Sequence, residues 1–268
     1  MTKGGIGSLG HLRRSMAPPW WPITRKGFAW AVRPSPGPHP AAFSIPVAVV
    51  LRDALKYAYT LREARRIIAE RKVYVDWRVV TDYKFPVGLM DVIYLKGAEE
   101  YYRVVPHPTK FYMLHRIDER EAEIKPLRVK RKVTVRRGDL QLTFHDGRTL
   151  LLKRGGELGK LSELRTFDTI VFNLKEKTVV DHVPMREGVI AYVIGGHSVG
   201  FVGRVESIQV VFKRAKAVTA LRSLDGQSVA RTILEYVMAI GAEKPSISLP
   251  SEEEVKEWEE RLGRRPSL

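Results

Sequence analysis

The sequence has 268 residues, a net charge of +16 and a pI of about 10.0. Its hydrophobic fraction of 44% excludes disorder throughout the chain, and the absence of cysteine excludes disulfides, zinc ribbons and thiol catalysis. So large a positive charge indicates a polyanionic partner, while no apolar run reaches the ~18 residues that a membrane-spanning helix needs. We therefore expect a nucleic acid as the partner, and no membrane, small-molecule substrate, metal or cofactor.

Residues 1–43 are predicted to form a basic N-terminal arm. Basic side chains alternate with tryptophans, and the proline-rich run from Arg33 to Pro40 excludes a helix or a central strand. Such a mixture suits RNA, because arginine pairs with phosphate and bases stack on aromatic rings. We expect the arm to become ordered on RNA, and a tail wrapped over its own protein is the alternative. The candidate RNA-binding residues of the arm are Arg13, Arg14, Trp21, Arg25, Lys26, Arg33 and His39.

Residues 44–72 predict two helices. Ser44, with Pro46 just inside, is a start signal for the first helix. Apolar residues then recur at helical spacing and form one face. They are Val47, Val50, Leu51, Ala54, Leu55 and Ala58. Thr60 opens the second helix, and Glu63 completes a capping box with it.

Arg62, Arg65 and Arg66 fall at positions i, i+3 and i+4 and therefore share one side of the second helix. An unneutralised row of arginines repels itself, and arginine is well shaped to hold phosphate through two parallel hydrogen bonds. The row therefore suggests a surface that grips a nucleic-acid backbone. The alternative is a solvated helix face, which is what most basic helices present. The candidate RNA-binding residues of the two helices are Arg52, Lys56, Arg62, Arg65, Arg66, Arg71 and Lys72.

A small hairpin is predicted over residues 73–80, with its turn at Asp76-Trp77. Residues 49–95 resemble the S-four (S4) RNA-binding domain of ribosomal proteins and RNA-modifying enzymes. The resemblance rests on residues 51–58, 64–75 and 91–93. The turn of that domain usually carries Asp-Gly, and tryptophan tolerates a positive φ poorly. The turn geometry is therefore an open point, and Trp77 is either an exposed stacking platform or packs on its neighbours.

From about residue 99 to 184 the pattern changes to strands. Basic and apolar residues alternate from Arg128 to Arg136 and predict one strongly basic strand. Further on, two apolar runs flank Asp146-Gly147, which is a strong hairpin signal. The basic strand is either a solvated edge that protects against aggregation or an RNA-facing surface. Its candidate RNA-binding residues are Lys130 and Lys132.

Residues 185–241 predict a third β unit with a glycine-rich connection. Four glycines between positions 195 and 203 indicate positive φ angles or a close backbone approach. This segment resembles the KOW motif, a short barrel-like element that binds RNA and proteins. The candidate RNA-binding residues of this unit are Gly200, Gly203 and Arg204. Residues 242–268 form a tail, in which Ser251 is expected to cap a short acidic surface helix.

The order of these segments resembles the S-four-e (S4e) family of small-ribosomal-subunit proteins of archaea and eukaryotes. The distinctive pieces are residues 11–14, 17–21, 33–39, 85–93, 195–203 and 244–250. The resemblance implies an α+β fold class, with an S4-type helix-helix-hairpin RNA-binding domain at 44–98, a central β-rich domain at 99–184 and a C-terminal KOW SH3-like β-barrel at 185–241. It also implies a non-catalytic constituent of the small subunit that binds its ribosomal RNA, contacts neighbouring ribosomal proteins and resides on cytoplasmic ribosomes.

Two other functions are considered. S4 domains also form the N-terminal part of pseudouridine synthases. The catalytic aspartate of those enzymes lies in a motif similar to His115-Arg116-Ile117-Asp118. The Thr-Ser-Gly that follows this motif in those enzymes is absent after Asp118, so no catalytic residue is assigned. The second alternative is an assembly or elongation factor that acts through the KOW unit.

Overall fold

The computed structural model describes residues 10–24, 26–109, 111–153, 164–210 and 212–263. The chain divides into two compact units. The first comprises Met1–Val105, Tyr112–Ile117 and Pro250–Leu268, and the second comprises Pro106–Phe111 and Asp118–Leu249. The described part of the chain is rich in β-strands and carries a few helices.

The helices of the described residues are α1 (Val47–Val49, continued as a π-helix over Val50–Ala54), α2 (Leu61–Ala69), α3 (Glu119–Ala122) and α4 (Glu252–Gly263). Short 3₁₀ turns lie at Arg14–Met16, Ala41–Phe43, Arg136–Gly138, Arg214–Lys216 and Leu234–Tyr236. No helix in the described ranges combines the length and the apolar character that crossing a bilayer requires.

Short strands dominate the first unit. They are β1 (Leu12–Arg13), β2 (Trp30–Ala31), β3 (Ile45–Pro46), β4 (Val73–Val75), β5 (Arg78–Val79), β6 (Pro86–Val87), β7 (Val92–Leu95), β8 (Glu100–His107) and β9 (Phe111–Ile117). A five-stranded sheet has the order β5-β4-β7-β8-β9. Because β7 pairs antiparallel with β8, with Val92 opposite Arg103, the first unit extends beyond the predicted boundary at residue 98.

The hairpin predicted over residues 73–80 is confirmed as the β4-β5 pair. Its turn contains no glycine, yet Asp76 has φ 50° and Trp77 has φ 60°. The Asp76 amide donates to the Val92 carbonyl at 2.8 Å, and its carboxylate accepts from the Val92 amide at 3.0 Å. These two hydrogen bonds to the neighbouring strand hold the strained turn in place.

Helix α1 is enclosed rather than amphipathic. The predicted apolar face is buried, but Ala48 and Val49 on the other side are buried as well. After Val49 the helix widens into its π turn, in which the Leu55 amide donates to the Val50 carbonyl at 2.8 Å. The helical run ends before Lys56, whose φ is 64°. The helix therefore buries residues outside the single stripe that its sequence predicted.

The described residues of the arm pack on the first unit. Leu12, Trp21 and Val32 are buried, and the Trp21 indole N–H donates to the Ser44 carbonyl at 3.0 Å. The Ser35 amide donates to the Lys84 carbonyl at 2.9 Å. These contacts favour the alternative of a tail that packs on its own protein, while Phe28 and Trp30 remain 56% and 58% exposed.

Two five-stranded antiparallel sheets make up most of the second unit. The first has the order β12-β11-β10-β13-β14 and the second β18-β17-β16-β15-β19. The strands are β10 (Ile124–Thr134), β11 (Leu140–Phe144), β12 (Thr149–Leu152), β13 (Thr169–Asn173), β14 (Thr178–Val183), β15 (Ile190–Val193), β16 (Val202–Gln209), β17 (Val218–Ser223), β18 (Val229–Ile233) and β19 (Val237–Gly241). One apolar cluster lies within the first sheet, and a second centres on the β15, β16 and β19 strands.

The Asp146-Gly147 hairpin is confirmed, with β11 and β12 as its arms and Gly147 at φ 81°. Strand β10 pairs with β13 over residues 124–128 and with β11 over residues 129–134. In the basic stretch Lys130 and Arg131 are exposed, so the solvated edge and the RNA-facing surface both stay predictions. Lys125, in the half that pairs with β13, is fully buried.

The glycine-rich connection has the backbone features that its sequence predicts. Gly196 and Gly200 have φ angles of 81° and 85°. A Cβ at Gly203 would collide with the Arg222 carbonyl on the paired strand β17. In the first unit, helix α4 begins with a capping box in which the Glu254 amide donates to Ser251 Oγ at 3.2 Å. Trp258 of α4 is buried, so this helix is anchored to its unit by an apolar side chain.

Candidate RNA-binding surface

Helix α2 has a well-defined start. The Glu63 amide donates to Thr60 Oγ1 at 3.2 Å, and the Glu63 carboxylate accepts from the Tyr59 amide at 2.9 Å. The predicted capping box is thereby confirmed, with Tyr59 rather than Thr60 as the amide donor. Hydrogen bonds from the Tyr59 backbone and then from Thr60 lower the pKa of Glu63. Ala64 and Ile68 are buried and orient the helix, so its opposite side faces solvent.

The exposed side of α2 carries the predicted arginine row. Arg62, Arg65 and Arg66 are all exposed. The Arg65 guanidinium lies 4.0 Å from the centroid of the Tyr83 ring, and Arg66 Nε lies 3.1 Å from a carboxylate oxygen of Glu70. Within the described residues, no ion pair or ring contact occurs at Arg62. The row therefore contains three exposed cations, one of which already has a carboxylate partner.

Glu70 is shared between two cations. Lys72 Nζ lies 2.6 Å from its second carboxylate oxygen, and hydrogen bonds from Lys72 and then Arg66 lower the pKa of Glu70. Arg71, which follows the helix with φ 55°, is exposed. From residue 61 to 72 the chain has five basic and two acidic residues, so the exposed side of α2 keeps a positive excess. Such an excess attracts phosphate.

Tyr59, next to the start of α2, was not predicted as a functional residue. It is 89% exposed, while nearby Tyr57 donates its hydroxyl to the Glu100 carboxylate. An exposed ring beside exposed arginines is the combination in which bases stack and phosphates pair. The sequence did contain a signal for this site, namely an aromatic residue placed between a lysine and the helix cap Thr60. That lysine, Lys56, is also exposed.

Trp77 packs on neighbouring rings. Its ring centroid lies 5.8 Å from that of Tyr94 and 6.1 Å from that of Tyr101, and the Tyr94 and Tyr101 rings stack at 4.5 Å. The side chain of Trp77 is half-buried. Of the two alternatives for Trp77, the structure therefore favours packing on its neighbours.

The predicted basic residues of the arm differ in accessibility. Arg13 and Lys26 are exposed, whereas Arg33 is half-buried. Arg14 is engaged by its own segment, because its guanidinium donates to the Ile23 carbonyl at 2.8 Å and to the Thr24 carbonyl at 3.1 Å. Arg25, also predicted, lies outside the described residues. Arg13 and Lys26 are thus the arm cations best placed to meet RNA.

Two predicted arm residues are buried in the first unit. The Trp21 ring is 3% exposed. His39 is 6% exposed, and its Nε2 lies 2.9 Å from an oxygen of Asp91, whose other oxygen accepts from the Gly88 amide at 2.8 Å. Both side chains stabilise the fold of the unit, and we leave them out of the proposed surface.

Arg52 is held by its neighbour in sequence. Its guanidinium donates twice to one Asp53 carboxylate oxygen, at 3.0 and 2.8 Å, and lies 5.2 Å from the Phe28 ring centroid. Burial raises the pKa of Asp53, although the hydrogen bonds and charge of Arg52 act in the opposite direction. Arg52 therefore serves first to balance a buried carboxylate.

In the second unit, the predicted residues are spread over both sheets. Lys130 and Arg204 are exposed, and Arg204 donates to the Gly188 carbonyl at 3.0 Å. Lys132 is half-buried and donates to the Leu164 carbonyl at 3.0 Å. Gly200 lies against Pro108, and Gly203 is buried against strand β17. The two glycines thus meet structural requirements, and Lys130 and Arg204 are the accessible cations of the set.

Asp118 and His115, the residues of the enzyme alternative, each make contacts within their own unit. Asp118 is exposed and precedes α3, where its carbonyl accepts from the Ala122 amide at 2.9 Å. His115 is buried, and its Nδ1 lies 3.1 Å from a carboxylate oxygen of Glu254. Across the described part of the chain, histidines and carboxylates form no cluster that could hold a metal ion.

Three family profiles match the sequence. The ribosomal family S4e matches residues 98–179, the RS4NT (NUC023) domain matches residues 7–42, and the S4 domain matches residues 46–93.

Named relatives match about nine-tenths of the chain, and a solved structure matches about three-quarters of it. The small ribosomal subunit protein eS4 of Pyrobaculum arsenaticum is 50% identical over 240 residues, which cover 89% of this chain and 98% of that protein. The eS4 protein of Ignicoccus hospitalis is 46% identical over 246 residues, covering 91% and 96%. The crystal structure of 30S ribosomal protein S4e from Thermoplasma acidophilum is 28% identical with a TM-score of 0.63, covering 76% of this chain and 98% of that one.

Proposed function

The chain belongs to the ribosomal protein family S4e, and from that premise we propose that it binds small-subunit ribosomal RNA through the arginine row of helix α2. The chain is a structural constituent of the small ribosomal subunit and not an enzyme. Its partners are ribosomal RNA and neighbouring ribosomal proteins, and its place is on the ribosome.

The observation that carries the α2 assignment is the exposure of Arg62, Arg65 and Arg66 on the side opposite buried Ala64 and Ile68. Guanidinium groups on a rigid helix can each pair with a phosphate, and backbone contacts of this kind position a protein on RNA without reading its sequence. Exposed Arg71, Lys72, Lys56 and Tyr59 extend this surface.

We propose the following division of labour. Residues 1–43 and the S4-type domain at 44–98 bind RNA together, since the described arm residues pack on the first unit and present Arg13 and Lys26 to solvent. The central β-rich domain at 99–184 adds Lys130. Residues 185–241 form a KOW-type SH3-like barrel, a proposal supported by five antiparallel strands and the glycine-rich connection before β16.

The test removes the arginine row without disturbing the helix. Arg62, Arg65 and Arg66 are replaced together by glutamine, which retains helix propensity. Affinity for transcribed small-subunit ribosomal RNA is measured at several salt concentrations. If each arginine meets a phosphate, the slope of log affinity against log salt should shrink by about 2–3, because fewer counterions are released.

The matched control removes the same number of exposed charges from the second unit, by replacing Lys153, Arg186 and Lys244 with glutamine. We expect this control to retain a slope closer to that of the wild type, and circular dichroism to show both variants folded. If the slope fell equally in the two variants, the effect would come from net charge and not from the position of the arginines, which would contradict the proposal. A wild-type slope in the arginine variant would do the same.

A further inference from the structure

The loop between β16 and β17 exposes an aromatic ring. Phe212 is 83% exposed, and Val210 in the same loop is 59% exposed. Among the described residues, only Tyr59 presents a larger exposed fraction of a large apolar side chain. The loop belongs to the second unit, and none of its residues was predicted to bind RNA. An almost fully solvated phenyl ring contributes nothing to an apolar core, so its side chain is available to a partner.

The end of the loop that follows the ring is held by backbone hydrogen bonds. A 3₁₀ turn covers Arg214–Lys216, in which the Lys216 amide donates to the Lys213 carbonyl at 2.9 Å. Ala217 is fully buried, and its carbonyl accepts from the Leu234 amide at 2.8 Å. These contacts fix the end of the loop that follows Phe212 to the second sheet.

The surroundings of the ring are positively charged. Lys213 Nζ lies 5.6 Å from the Phe212 ring centroid, and both Lys213 and Lys216 are exposed. Residues 210–217 contain three basic side chains and no acidic one. Arg214 is the basic side chain with a carboxylate nearby, 3.6 Å from Asp168. Two solvated ammonium groups beside an exposed ring match a ligand that combines a flat aromatic group with anionic flanks.

We propose that Phe212 is a stacking site for an unpaired RNA base, with Lys213 and Lys216 pairing with the phosphates on either side of that nucleotide. This inference rests on the proposed RNA-binding function and extends it to a loop of the second unit. An unpaired base exposes its flat face, whereas a base inside a duplex is already stacked on both sides. The cations favour RNA over an apolar protein surface, because burying two ammonium groups against such a surface costs free energy.

The test compares two probes, a short single-stranded oligoadenylate and a blunt RNA duplex of the same length. Phe212→Ala in the full-length protein should weaken binding of the single strand by roughly 5- to 100-fold and leave duplex binding unchanged, since stacking requires a free base. Phe212→Leu should weaken it as well, because leucine is apolar but has no π-face. Phe212→Tyr should bind like the wild type.

The matched control is Val180→Ala, at another exposed apolar residue of the second unit, 57% exposed, and it should change neither affinity. Binding of Phe212→Leu as tight as that of the wild type would overturn the stacking proposal and identify an apolar contact of the kind that a protein makes. Unchanged binding by Phe212→Ala, or equal loss on both probes, would overturn it too. A wild-type protein that binds neither probe would contradict the proposed function itself, and with it this inference.

Discussion

Helix α2 and strand β10 are both rich in basic residues, yet β10 encloses part of its charge, whereas the arginine row of α2 is exposed throughout. On α2, three arginines of one side are exposed to solvent. On β10, Lys125 is fully buried with its Nζ 3.2 Å from an Asp146 oxygen. Arg128 on the same strand donates to the carbonyls of Glu235 and Val237 at 2.7 and 3.1 Å. One element presents its charge to a partner, while the other uses much of it inside the protein.

The difference follows from the position of each element. A helix with a period of 3.6 residues sorts its side chains into a buried and an exposed side, so charges three and four positions apart stay together in water. A strand alternates its side chains between two faces, and in β10 protein encloses Lys125 whereas Lys130 and Arg131 further along remain exposed. A count of basic residues therefore indicates an RNA-binding surface only where the element has a free side.

The largest effect is expected when the buried ion pair between Lys125 of β10 and Asp146 is broken. Asp146→Ala leaves the Lys125 ammonium without the carboxylate that balances it, and a buried pair broken in this way costs about 3–5 kcal/mol. We expect chemical denaturation to show this loss in the free energy of unfolding. Asp225→Ala, at an exposed aspartate of the same unit, should change it by no more than about 0.5 kcal/mol. Similar losses in both variants would contradict the role of the buried pair.

Acid should remove part of the same stabilisation. Burial alone would raise the pKa of Asp146, but the charges of Lys125, His145 and Arg148 outweigh it, so the pKa is lowered. A lowered pKa means that the contribution is complete above the unfolded-state pKa of about 3.9 and is lost as the pH falls through the folded-state value. Unfolding curves from pH 6 to pH 2 should therefore converge for wild type and Asp146→Asn at the acid end. A constant gap at every pH would rule this out.

A smaller difference in unfolding free energy is expected between substitutions of Arg128 and Lys130 on β10. Arg128→Gln removes the guanidinium that donates hydrogen bonds to two backbone carbonyls. This change should lower the free energy of unfolding by about 1–3 kcal/mol. Burial also lowers the pKa of Arg128 to about 10, consistent with an internal position. Lys130→Gln, at an exposed position of the same strand, should stay within about 0.5 kcal/mol of wild type. A larger loss of unfolding free energy in Lys130→Gln than in Arg128→Gln would contradict a stabilising role for the Arg128 hydrogen bonds.

The smallest effect sharpens the role of α2. Glu70→Gln removes the carboxylate shared by Arg66 and Lys72 and frees both cations for phosphate. The salt slope of RNA binding should then increase by about 1, since one further counterion is released on binding. Glu243→Gln, which removes an exposed carboxylate from the second unit, is the matched control and should leave the slope near that of the wild type. A slope that rises equally in both variants would assign the effect to net charge.

Local patterns were predicted well where neighbouring residues supply the interactions. Thr60 and Glu63 lie three residues apart and hydrogen-bond within one helical turn, so their spacing was sufficient to place the start of α2. Asp146-Gly147 likewise supplies the turn that joins β11 and β12. The positive φ of Trp77 could not be predicted in this way, because it depends on hydrogen bonds between Asp76 and a strand that is distant in sequence.

By itself, the sequence determined the charge, the capped arginine helix, the order of the segments and the family. Only the tertiary structure decided which of the predicted cations and rings are accessible. Trp21 is covered because its indole N–H reaches the Ser44 carbonyl, 23 positions along the chain, whereas Tyr59 and Phe212 remain solvated. Exposure is a sum over contacts from residues far apart in sequence, and no local pattern contains that sum.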